Sequence, residues 1–106
     1  MKSYVLSVRA ERSLDGIAAH SLERFGKRRG DRYVADLLER CQAVASGHVP
    51  HQSCRAHFAD DLREGLLFVQ AGRHFVIFMQ AATQVFIIDF IHQNADIGDR
   101  LGGPPE

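Results

Sequence analysis

LREGLLFVQAGRHFVIFMQAATQVFIIDFIHQNAD, residues 62–96, carries three apolar, β-branched and aromatic runs with only short breaks between them. His74 to Met79 is almost wholly apolar, and so is Val85 to Ile88. Near-continuous apolarity over about 4–8 residues, bounded by turn signals, predicts strands covered on one face and partly on the other. Ala71-Gly72 breaks the chain before the first run, and Gln80 to Gln84 is a loop of hairpin length. Leu62 to Gln70 reads as a weaker strand, with Gly65 marking a bulge or the close approach of another backbone. The three runs make an antiparallel meander. The last ends on His92 followed by polar residues, and a strand leaving a packed sheet at a polar pivot is a common place for a working surface.

The first half reads as helical. After a short extended start, Tyr4 to Ser7, the residues Leu14, Ile17, Ala18, Ser21, Leu22 and Phe25 recur at helical spacing. Gly26 breaks the series and Lys27-Arg28-Arg29-Gly30 follows. A second series, Tyr33, Val34, Leu37, Leu38, Cys41, Val44 and Ala45, runs to Ser46-Gly47. Helices joined so tightly form an antiparallel hairpin. Neither can bury its stripe alone, so the hairpin packs on the meander and the first strand joins the same sheet. The predicted order is β-α-α-β-β-β, an α+β domain with a helical hairpin on a small, mainly antiparallel sheet.

Composition bounds the rest. A chain of 106 residues makes one domain, able to bury roughly 65% of its unfolded surface. Thirteen basic and thirteen acidic residues cancel, so net charge gives no bulk attraction to nucleic acid or membrane. No apolar run reaches the roughly 18 residues of a membrane span. The start, MKSYVLSVRAERS, is too poor in consecutive apolar residues for a secretion signal. Cys41 and Cys54 lack the C-x-x-C spacing, and Cys41 lies on an apolar helix face, as a buried free thiol does. A reducing cytoplasm is the expected location.

With both halves in view, the chain resembles the ParE toxins of bacterial type II toxin–antitoxin systems, within the wider RelE/ParE superfamily. The resemblance rests on Tyr4 and Leu6-Ser7 before Ala10-Glu11, then Leu14, Ile17, Arg24-Phe25-Gly26, Tyr33 and Leu37. It continues in Leu62-Arg63-x-Gly65, Gly72-Arg73-His74-x-Val76-Ile77-Phe78, Ile87-Ile88, Ile91-His92, Asp96 and Leu101. No single piece is specific, but the ordered set is. It implies a toxin domain over residues 1–101 and a flexible tail over residues 102–106.

The resemblance further implies a cytoplasmic toxin without a catalytic site, metal or cofactor, which blocks replication by inhibiting DNA gyrase. A ParD-like antitoxin, a ribbon-helix-helix protein whose C-terminal segment wraps the toxin, would neutralise it in a hetero-oligomer. No sequence-specific DNA binding is implied. Candidate target contacts are Arg63, Arg73, His92 and Asp96; candidate antitoxin contacts are Leu14, Ile17, Leu37, Phe68 and Phe75. The alternatives are a RelE-like ribosome-dependent mRNA endoribonuclease and a non-toxic protein that keeps the fold for binding.

Chemistry weighs against the ribonuclease. Cleavage at a 2′-hydroxyl needs a base, an acid and cationic stabilisation close together. Arg63, Arg73 and His92 are candidates, but several such nucleases carry a tyrosine where Gln93 stands, and glutamine is no general acid. Asp89 adds negative charge where many relatives have arginine. Many ParE sequences also have arginine at Leu67 and tyrosine-arginine at Met79-Gln80, departures that leave a diverged target or an attenuated toxin as alternatives.

Three other patterns have bland readings. His48, His51, Cys54 and His57 recur every third residue, but Pro50 forbids a simple helical face, and a plain polar loop is expected rather than zinc. Arg24, Lys27, Arg28, Arg29 and Arg32 form a basic knot that reads as a solvated corner, or as a docking point for an acidic partner. His92 reads as a cap of the following turn. Finally, Phe68, Phe75, Ile77, Phe86, Ile88 and Phe90 cannot all face one core, so apolar surface is left for a partner.

Overall fold

Ser7 turns the chain from strand into helix. Its backbone is extended (φ −67°, ψ 163°) and its Oγ accepts the Ala10 N–H at 2.9 Å, an N-cap reinforced by Glu11 in the first turn. The computed structural model describes residues 3–101, so the predicted tail at residues 102–106 lies outside the described residues. The elements are β1 (Ser3–Leu6), α1 (Val8–Ala45), β2 (Gln52–Ser53), α2 (Cys54–His57), β3 (Leu67–Ala71), β4 (His74–Gln80), β5 (Gln84–His92) and α3 (Ile97–Leu101).

The predicted helical hairpin is α1, broken once inside. Gly26 stands at φ 85°, ψ 170°, outside helical space and in the left-handed range that favours glycine. The chain doubles back there. A Cβ on Gly30 would lie 3.1 Å from the Leu22 nitrogen and 3.2 Å from the Ser21 carbonyl carbon, so the second arm leans directly on the first. The first arm starts at Val8, earlier than its periodic series predicted. The second ends at Ala45, with Ser46 capping and Gly47 at φ 76°.

The sheet order is β1-β5-β4-β3-β2. β1 pairs β5 in parallel, and the remaining neighbours pair antiparallel. The α+β class and the mainly antiparallel sheet are therefore as predicted. α1 covers one face, burying Leu37, Cys41 and Val44 against Val76, Phe78, Val85 and Ile87. Burial pushes the Cys41 thiol up to about 12, which keeps it protonated and inert.

The second face differs from expectation. The segment after the helices is no plain polar loop: Cys54, Leu62 and Leu66 are buried in a second core with Phe68, Ile77, Ile91 and Ile97. Phe58, Phe68 and Phe75 stack there with ring centroids 4.7–5.4 Å apart. Residues 54–66 and α3 thus plug the face opposite α1. Coverage stops short of one row, in which Val5 pairs with Phe86 and Phe86 with Met79. Val5 remains 40% and Phe86 42% exposed, the predicted leftover surface.

Two strand details are corrected. The weak strand begins at Leu67, because Gly65 takes φ 90° in the turn before it rather than forming a bulge. The irregularity lies in β5 instead: Ile77 faces Asp89 while Phe78 faces Ile87, leaving Ile88 as the extra residue. Leu22 (54% exposed) and Phe25 (48%) also leave the apolar stripe they were assigned to. They lie beside the break of α1 at Gly26.

Candidate functional site

Two residues make the β3–β4 turn, Gly72 and Arg73, since Ala71 pairs with His74. Gly72 has φ 60°, and the Tyr33 ring sits where its Cβ would be, at 2.8 Å. Only glycine admits both the turn and the tyrosine. The Tyr33 hydroxyl accepts the Arg73 N–H at 3.0 Å and shares a hydrogen bond with His74 Nδ1 at 2.6 Å. His92 faces His74 across β4 and β5, their rings edge to face at 5.1 Å. Its Nδ1 accepts the Asn94 N–H at 3.1 Å, and its carbonyl accepts from Ala95 at 2.9 Å. His92 therefore caps the turn that ends the sheet, as read from the sequence.

These residues floor a cleft of about 820 Å³ between the bend of α1 and the end of the sheet. Ile17, His20, Ser21, Arg24, Phe25 and Arg29 come from α1; Arg73, His74, Phe90, His92 and Asn94 come from the sheet end; Arg100 comes from α3. Four arginines and three histidines line it, and no Asp or Glu does. Arg24, Arg29 and Arg73 have no acidic partner among the described residues, whereas Lys27 of the same basic knot pairs with Asp31 at 2.7 Å.

The pKa of His74 is lowered to about 4, first by desolvation, then by the nearby His92 and His20. Its ordinary value is 6.5, so between these values the unfolded chain binds the extra proton and the folded chain does not. Stability is complete above pH 6.5 and declines as pH falls toward about 4. A melting series across that window is expected to show the decline, and His74→Gln, which still accepts from Tyr33, to flatten it. An unchanged slope in the variant would locate the acid sensitivity elsewhere.

Asp89 is fully buried beside this cleft. Oδ1 accepts from Ser13 Oγ and, at 2.8 Å, from the Phe90 N–H. Oδ2 is held by charge alone, with Arg9 Nε at 3.3 Å and an Arg100 guanidinium nitrogen at 3.5 Å, neither aligned as a hydrogen bond. Arg9 also donates to the Arg100 carbonyl at 2.8 Å. The sequence reading of Asp89 as a charge that repels phosphate is thus corrected. Its charge is spent tying α1 and α3 to β5.

The structure brings together only two predicted target contacts, Arg73 and His92. Arg63 is exposed in the turn before β3, outside the cleft. Asp96 caps α3, its Oδ1 accepting the Asp99 N–H at 3.0 Å. Of the predicted antitoxin contacts, Leu14 and Ile17 are half-buried against the first core and Phe75 against the second. Leu37, 1% exposed, and Phe68, 8% exposed, are core residues of this chain and present no free surface. Arg24 and Arg29 come from the basic knot read as a solvated corner or docking point, whereas sequence reasoning did not place Tyr33, His74 or Phe25 at a site.

The spaced series His48, His51, Cys54 and His57 reads from the sequence as a loop rather than a zinc site. Cys54 is buried, its thiol raised to about 11 by desolvation. His51 lies edge-on to Phe78, at 5.7 Å, and His57 to Phe68, at 5.3 Å. Among the described residues no three His, Cys, Asp or Glu side chains gather as a metal group.

No helix among the described residues is long and apolar enough to cross a membrane. The family model described as ParE toxin of type II toxin–antitoxin system, parDE, matches residues 4–97. Toxin ParE1 of Caulobacter vibrioides is 30% identical over 102 residues, 96% of this chain and all of the relative. Toxin ParE of Escherichia coli is 24% identical, covering 95% of this chain and 94% of the relative. A solved structure titled as the chromosomal ParDE toxin–antitoxin system from P. aeruginosa shares the fold: TM-score 0.68, 14% identity, 87% of this chain and 96% of that one. The chain belongs to the ParE family of type II toxin–antitoxin toxins.

Proposed function

We propose that this toxin arrests growth by inhibiting DNA gyrase and is held inactive by a ParD-like antitoxin in the same cytoplasm. The observation that carries the reading is the family match from Tyr4 almost to the end of the described chain. The exposed apolar residues support the antitoxin. Val5 and Phe86 on the sheet, with Val8, Leu22 and Phe25 on α1, are 40–65% exposed although two cores are already filled. Strand addition at β1 and an amphipathic helix over α1 are two modes by which a peptide could cover them.

The cleft argues for an inhibitor rather than a nuclease. A general base needs a free lone pair aimed at its substrate. His92 Nδ1 is taken by the backbone N–H of Asn94, which leaves its Nε2 as an N–H donor, and His74 Nδ1 is tied to the Tyr33 hydroxyl. His20 is exposed and no side-chain hydrogen bond orients it among the described residues. Arginines are present, but an acid–base pair is not assembled. Induction of the chain alone is expected to stop growth within a few generations, with co-expressed antitoxin restoring it and cellular mRNA staying intact. Unimpaired growth, or mRNA cleavage lost in Arg73→Ala and His92→Ala, would overturn the proposal.

A further inference from the structure

The cleft is cationic in a chain of zero net charge. Thirteen acidic residues balance thirteen basic ones overall, yet the lining holds four arginines and no carboxylate. Arg100 is occupied by Asp89, but Arg24, Arg29 and Arg73 have no acidic partner among the described residues. The two sheet histidines add to this. His92 accepts the Asn94 N–H at Nδ1 and so keeps its proton on Nε2 as a donor, and His74 is held at Nδ1 by the Tyr33 hydroxyl. The site is therefore rich in donors for an anion and lacks any acidic side chain that would repel one.

The same cleft is lined by apolar groups, including Ile17, Phe25 and Phe90. Phe25 is 48% exposed, with the Arg24 guanidinium 6.0 Å from its ring centre. A large exposed aromatic beside unpaired arginines suits a ligand with a flat heteroaromatic body and a compact anionic end. A long polyanion fits less well, because outside the cleft all thirteen acidic residues outnumber the remaining nine basic ones and would repel its ends.

We propose that the cleft binds a nucleoside phosphate, its phosphate taken by Arg73 and Arg29 and its base stacked on Phe25. The proposal is independent of the toxin's target. It assigns a small-molecule ligand to the bend of α1.

Calorimetric titration of the full chain with AMP tests it. Saturable one-to-one binding is expected at micromolar to millimolar Kd. Adenosine alone and inorganic phosphate alone are expected to bind at least about tenfold more weakly, each lacking one half of the contacts. Arg73→Gln and Phe25→Ala, both at exposed positions, are each expected to weaken AMP by about tenfold without shifting the melting temperature. No saturable heat at millimolar AMP would overturn the proposal, as would binding indifferent to both variants. Inorganic phosphate binding as well as AMP would overturn the base contact. A single-stranded oligonucleotide binding more tightly than AMP, with a steep salt dependence, would make the cleft a strand site and overturn it too.

Discussion

Replacing both Arg9 and Arg100 with alanine is expected to destabilise the fold by about 3 kcal/mol and lower its melting temperature by roughly 15 °C. Asp89 is wholly buried, and the two guanidinium groups are its only counter-charges among the described residues. Both arginine side chains are about half exposed, 52% and 48%, so solvent already screens part of their attraction. The large effect comes from the other side of the pair. Without them a carboxylate sits in the interior with only Ser13 and one backbone N–H to replace its lost water. Adding Asp89→Asn to the double variant is expected to recover part of the loss, since a neutral amide costs less to bury. A double variant within about 1 kcal/mol of the natural chain would show that the triad holds nothing together.

Phe78→Ala is the other large effect, about 4 kcal/mol by chemical denaturation. Phe78 is fully buried in the middle of β4, facing Leu67 on one side and Ile87 on the other, with the His51 ring edge-on at 5.7 Å. Its removal opens a cavity beneath α1 that rigid neighbouring strands cannot close. Phe78→Leu, which keeps most of the volume, is expected to cost less than about 1.5 kcal/mol. A small domain holds only about 5–15 kcal/mol in total, so the alanine variant approaches the threshold of folding. An equal cost for leucine and alanine would contradict cavity formation as the cause.

What was legible in the sequence depended on local pattern. The β4 and β5 runs declared themselves by continuous apolarity, and Gly26 and Gly47 declared the two ends of the second arm. Residues 54–66 did not, because a plug over a sheet needs no period: Cys54, Leu62 and Leu66 are buried without alternating. α3 was equally silent, being five residues long with one buried side chain. The Asp89 clamp joins residues 80 and 11 positions away, and Tyr33 reaches His74 across 41. No local rule connects such pairs. A carboxylate between Ile88 and Phe90 in an apolar strand was still a usable sign, since a buried charge must find a partner. Of the site, the sequence marked His92 and Arg73 by their place at strand ends. Tyr33, His20 and Phe25 join them only because the α1 bend lies over that end of the sheet.

The chain commits its best titratable groups to its own architecture: Asp89 to a clamp, Asp96 to a helix cap, His74 Nδ1 to the Tyr33 hydroxyl and the His92 Nδ1 lone pair to the closing turn. What remains outward is positive charge, N–H donors and exposed apolar residues, the chemistry of holding rather than cutting. The most direct test is a supercoiling assay with purified DNA gyrase, relaxed plasmid, ATP and this chain. Concentration-dependent loss of supercoiling, reversed by the antitoxin, is the expected result; full supercoiling at a large molar excess of folded toxin would contradict the central claim.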